Sequence, residues 1–141
     1  MNDTAIRPAQ FAGSWYPQTL EEAESYWTAT EQKVPAKAVV CPHAGWIYSG
    51  RVAGEVYGQV RPADTFIVLG PNHTGRGKAA TSLYAKGAWQ MPEFRMAIDE
   101  SLAEELRRMS EFISIDPDAH DREHSIEVQV PFLQLMNQAN S

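Results

Sequence analysis

The chain of 141 residues is 43% hydrophobic and 10% aromatic, enough apolar material for one modest core and too much for a disordered segment. Its formal net charge of −6 lacks the basic surface that nucleic acid or an anionic membrane would require, so neither is expected as a partner. A single cysteine, Cys41, rules out an internal disulfide, and no apolar run approaches the roughly 18 residues of a membrane span; a cytoplasmic protein is expected.

No repeat, low-complexity tract or linker divides the sequence, so residues 1–141 read as one domain. The stretch from Arg7 to Pro17 holds Phe11, Trp15 and Tyr16 with two prolines and a glycine. That is too broken for a regular element and predicts an ordered lead-in pinned by its rings. Thr19-Leu20-Glu21-Glu22 matches a capping box, with Leu20, Ala23 and Trp27 on one face of the helix that follows. An apolar run from Lys37 to Val40 predicts a buried strand, emptying into Cys41-Pro42-His43-Ala44-Gly45. Val52, Val56 and Val60 recur at helical spacing and predict a helix from Ser49 to Val60. A second strand, Asp64 to Leu69, opens into Gly70-Pro71-Asn72-His73-Thr74-Gly75.

Further on, Ala80 to Tyr84 predicts a short strand, and Gly87 to Pro92 a loop. Asp99 is placed to cap a helix bearing Leu102, Leu106 and Met109, and Phe112 to Ile115 predicts a last strand. The closing stretch is apolar nearly all round, with Ile126, Val130 and Leu133 on one helical face and Val128, Phe132 and Leu135 on another. Pro131 would bend that helix. Strands alternating with helices predict an α/β fold with a mainly parallel sheet and flanking helices.

All four histidines fall in loops or at element ends. His43 and His73 sit at the carboxyl ends of the two predicted strands, where ligands bind in open α/β sheets. Imidazole is a common transition-metal ligand and also titrates near neutral pH. The run His120-Asp121-Arg122-Glu123-His124 has the H-x-x-E-H spacing of one class of zinc peptidases, with Glu123 as the water-activating carboxylate. On one helix His120, Glu123, His124 and Glu127 would share a face. A charged helix start with its acids at the positive end of the dipole explains the same letters. Gly70 and Gly75 have P-loop spacing, but Arg76-Gly77 stands where Lys-Ser/Thr is required, which argues against a nucleotide site. Cys41, closing an apolar run, reads as a small hydrophobe more than as a reactive thiol.

Four blocks then carry a resemblance. Arg7-Pro8-Ala9 with Phe11 to Pro17, Pro42-His43-Ala44-Gly45 with Tyr48-Ser49-Gly50, Gly70-Pro71-Asn72-His73, and Glu123-His124-Ser125-Ile126-Glu127 with Pro131-Phe132-Leu133 occur in the order of the motifs of the Memo family. Its bacterial members are known as protein B of the AmmeMemoRadiSam system. The family resembles class III extradiol ring-cleaving dioxygenases, which use non-haem iron(II). The resemblance implies that His43 and His73 are metal ligands, that His124 is an acid/base histidine and that Asp121 lies in the same pocket.

By the same resemblance the ion is iron or copper, with zinc less favoured, and the reaction a metal-dependent oxidation of an unspecified substrate. The rival reading is a non-catalytic protein that uses the pocket for a small molecule or peptide; a further one is zinc hydrolysis through His120, Glu123 and His124. Family members run to roughly twice this length, and their second half supplies another ligand, a cysteine in animal members. The chain is therefore expected to be a truncated, amino-terminal part of a single Memo-like domain with an incomplete site. Its closing helix is expected to be exposed and to drive self-association.

Overall fold

The computed structural model describes residues 5–139 and shows a mixed α/β protein made of two compact units, each discontinuous in sequence. Among the described residues, no helix is long and apolar enough to cross a membrane.

The first unit comprises the chain up to Gln10 together with Gly70–Glu123. Its strands β1 (Ile6–Pro8), β2 (Thr81–Leu83), β3 (Ala88–Gln90), β4 (Arg95–Ala97) and β5 (Ile113–Ile115) form two small sheets. In one, β3 pairs in parallel with β1 and antiparallel with β4; in the other, β2 pairs in parallel with β5. The single mainly parallel sheet expected from the sequence is thus replaced by two short ones. β3 lies within the stretch expected to be a loop, because Ala88 and Trp89 are buried and have a ladder partner on each side. Helix α3 (Glu100–Met109) starts where Asp99 accepts a hydrogen bond from the Leu102 amide at 3.0 Å, as its cap spacing predicts.

Arg7 ties this unit together. It is buried, its guanidinium lies 4.1 Å over the Trp89 ring, and it donates to the carbonyls of His120 at 2.9 Å and Glu123 at 3.0 Å. A buried guanidinium is tolerated because its donors meet oxygen acceptors and its flat face meets an aromatic ring.

The second unit comprises Phe11–Leu69 and the chain from His124 onward. Helix α1 (Leu20–Glu24) is capped by Thr19, whose hydroxyl accepts from the Glu22 amide. Helix α2 (Trp46–Gln59) begins earlier than predicted and is turned differently. Its buried face is Trp46, Gly50, Ala53, Gly54, Tyr57 and Gly58, while Val52 is exposed. A Cβ at Gly54 or Gly58 would run into the carbonyl oxygens of Tyr26 and Thr28. The small-residue face goes inward because the backbone of residues 26–28 passes directly against it, and valines could not permit that approach.

Helix α4 (Val130–Gln138) packs against α1 and α2 and closes this core. Phe132 is 0% exposed and stacks on Trp46 at 3.9 Å and on Tyr57 at 5.3 Å. Pro131 stands in the first turn, where no intrahelical N–H is needed, so it starts the helix instead of bending it. The exposed closing helix expected from the sequence does not form, since Val130, Phe132, Leu133, Leu135 and Met136 are all buried. The large apolar side chains of α4 expected to be exposed are thus covered among the described residues.

The exposed apolar surface is elsewhere. Lys37 to Val40 and Asp64 to Leu69 form no strand, and Val40 is 94% and Leu69 85% exposed. An apolar run becomes a strand only where a neighbour completes its backbone hydrogen bonds, and among the described residues neither run has a ladder partner.

Candidate metal centre

His43 is half-buried in the turn that leads from Cys41 into α2. A buried polar relay fixes that turn: the Tyr57 hydroxyl donates to Gln129 Oε1 at 3.0 Å, and Gln129 Nε2 donates to the Pro42 carbonyl at 3.0 Å. On the other side of the turn the Trp46 amide donates to the Trp15 carbonyl at 2.7 Å. Cys41 is half-buried, and burial pushes its thiol up from the ordinary value, more than the hydrogen bond with Tyr57 lowers it. This matches the inert reading of Cys41.

His124 packs against two rings of the Phe11–Pro17 segment, which also touch each other. Its ring centroid is 4.0 Å from that of Trp15 and 6.0 Å from that of Phe11. Glu127 sets this wall: it is 0% exposed and one carboxylate oxygen accepts from both the Phe11 amide and the Tyr16 hydroxyl, each at 2.9 Å. The His43 ring is 6.0 Å from the His124 ring, and the two offer ring nitrogens within 4.8 Å of each other. The aromatic segment read as a lead-in is thus also the holder of His124. No spacing rule would have shown this.

His73 belongs to the turn after Gly70. Asn72 organises that turn, its side-chain oxygen accepting from the Thr74 hydroxyl and the Gly75 amide and its nitrogen donating to the Arg76 carbonyl. The partner of His73 is Glu123, whose carboxylate is buried. The His73 amide donates to Oε2 at 2.6 Å, and Nδ1 meets Oε1 at 2.9 Å. The sequence signalled Glu123 only as a water-activating base; a carboxylate standing next to His124 was the one available hint that it serves a histidine.

The segment 120–127 is not a helix. A short 3-10 turn ends at His120, the chain passes Arg122 at φ 58°, and a second 3-10 turn begins at Glu127. The zinc-peptidase arrangement of His120, Glu123 and His124 needs both histidines on one helical face, so that reading loses its geometry. His120 is buried instead, with Nε2 3.2 Å from the Ser82 carbonyl and its ring edge-on to Tyr84 and Trp89. Burial lowers its pKa from the ordinary 6.5, against the smaller opposing effect of the Ser82 hydrogen bond. Asp121 accepts from Gln10 at 3.2 Å and pairs with Arg76 at 3.0 Å.

Within the second unit, His43 and His124 each offer a ring nitrogen that could serve a metal ion, and the two lie within 4.8 Å of each other. Imidazole donors suit zinc, copper, iron or nickel and disfavour calcium or magnesium. Of the two histidines expected as ligands, His43 stands beside His124 in the second unit, while His73 stands in the first unit on Glu123.

The sequence pattern of the Memo-like protein family matches residues 7–140. A MEMO1 family protein of Pyrococcus furiosus is 39% identical over 140 residues, covering 93% of this chain and 48% of the relative. One of Aquifex aeolicus is 40% identical over 134 residues, covering 92% of this chain and 49% of the relative. One of Sulfurisphaera tokodaii is 53% identical over 98 residues, covering 67% of this chain and 34% of the relative. The chain thus spans about half the length of the longest-matched of these relatives. With the family pattern running almost from end to end and the histidine-bearing motifs in place, the chain belongs to the Memo family.

Proposed function

We propose that His43, His73 and His124 bind one divalent transition-metal ion and that the chain belongs to a metal-dependent oxidoreductase of the class III extradiol dioxygenase type. The observation that supports this reading is the His43–His124 pair, with ring nitrogens within 4.8 Å of each other, in a chain that belongs to the Memo family. Surrounding hydrogen bonds and rings are how imidazole ligands for iron or copper are usually held and oriented in proteins. Bound iron or copper would supply redox chemistry with dioxygen. The protein's own part is to hold the imidazoles, to shield His124 with Phe11 and Trp15, and to exchange protons through Asp121, which Gln10 and Arg76 keep in place.

Metal analysis of the purified chain, followed by calorimetric titration with iron(II), copper(II) and zinc(II), tests the reading. About one ion per chain, lost in His43→Ala, His73→Ala and His124→Ala alike, is the expected result. Failure to bind any of the three metals would overturn it. The non-catalytic alternative, a site for a small molecule or peptide, is favoured by the Phe11–Trp15 wall beside His124, which offers aromatic surface to a ligand whether or not metal is present.

A further inference from the structure

We propose that Glu123 is a positioning residue that fixes which nitrogen of His73 faces a metal ion; the inference rests on the metal reading above and deepens it. The two contacts of Glu123 on His73 differ in kind. The backbone N–H can only donate, and at 2.6 Å it commits Oε2 as an acceptor. Oε1 lies 2.9 Å from Nδ1, and an ionised carboxylate has no proton to offer, so Nδ1 carries the hydrogen. The lone pair of His73 is then on Nε2, the nitrogen turned away from the carboxylate. A carboxylate that holds one ring nitrogen while the other faces the ion is a recurrent arrangement around metal-binding histidines.

The carboxylate is itself held. Its side chain is 5% exposed, against 43% for His73, and the buried Arg7 guanidinium donates to the Glu123 carbonyl at 3.0 Å. The half-exposed ring is thus oriented by a buried partner whose backbone is clamped from β1.

The isosteric variant Glu123→Gln makes the inference sharp. Gln has one oxygen, and the His73 backbone N–H, which cannot turn round, keeps it. The amide NH2 is left facing Nδ1 and can only donate to it. Nδ1 must then carry the lone pair and Nε2 the hydrogen, which inverts the tautomer and blocks the ligand atom without changing the size of residue 123.

The test uses the full chain without metal, with the pH raised until the histidine nitrogen shifts no longer change. Two-bond nitrogen–proton correlation NMR reads the His73 tautomer, with its signals assigned by their loss in His73→Ala. The expected result is the Nδ1–H form in the parent and the Nε2–H form in Glu123→Gln, with zinc(II) affinity about 10–100-fold weaker in the variant by calorimetry. An Nε2–H parent, or a variant with unchanged tautomer and affinity, would overturn the inference. The parent measurement does not depend on Glu123→Gln, so a Gln variant that fails to fold leaves it decisive. Correct tautomers with no zinc binding by the parent would uphold the orienting role and overturn the metal reading instead.

Discussion

Two regions of the second unit invert what hydropathy leads one to expect. Near residue 127 a glutamate is fully buried, while in the runs ending at Val40 and Leu69 large aliphatic side chains stand in solvent. The difference lies in partners. Glu127 has an amide and a hydroxyl as donors on one of its oxygens, whereas the two runs have no neighbouring strand among the described residues. Burial here follows the completion of hydrogen bonds and packing more closely than the polarity of the residue.

The largest expected effect tests the packed side of that contrast. Phe132→Ala removes the ring stacked between Trp46 and Tyr57 and should cost about 3–5 kcal/mol in denaturant unfolding. Glu127→Ala comes next: it removes the acceptor shared by the Phe11 amide and the Tyr16 hydroxyl and should cost about 3 kcal/mol. It should also broaden the NMR signals of Trp15 and His124, because it releases the segment that carries the wall. A Glu127→Ala variant as stable as the parent would show that the buried carboxylate is incidental.

Acid titration sharpens the picture for the first unit. Because burial lowers the folded pKa of His120 below the ordinary 6.5, the unfolded chain binds its proton first as pH falls. Stability should be unaffected by this group well above pH 6.5 and should decline as pH drops from that value through the lowered folded pKa. Thermal unfolding across that window, compared with His120→Gln, should show the extra slope in the parent alone. The smallest effect belongs to the exposed side: Leu69→Ser should change stability by less than about 0.5 kcal/mol while reducing self-association in sedimentation velocity. A loss of several kcal/mol there would break the contrast outright.

Where a feature depended on neighbours in sequence, the sequence was a good guide. Thr19 and Asp99 cap their helices, and the strands near residues 82 and 114 form where β-prone runs predict them. It misled where the deciding contact was remote. Residues 37–40 and 64–69 are apolar enough for strands and lack the neighbour that would make them so. α2 buries its glycines because a distant backbone passes over them, which a pattern of valines could not reveal. Of the site, three histidines were marked from their positions and from family likeness, while Glu123 and Trp15 owe their roles to contacts made across 50 and 109 positions of sequence.

The clamp made by Arg7 has a consequence for how the chain comes to be folded. Its two carbonyl acceptors lie 113 and 116 positions further along the chain, so the bond cannot close until residue 123 has left the ribosome. At about 5–20 residues per second, Arg7 waits roughly 6–23 s for the second of its acceptors. Through that interval β1 also lacks β3 for most of the first 90 residues, and the Phe11–Tyr16 segment lacks Glu127. The Arg7–Tyr16 segment is therefore made more than 100 residues before the partners that secure it, and the period before closure, in which its aromatic rings are uncovered, is the stage of synthesis at which chaperones or other nascent chains would meet it.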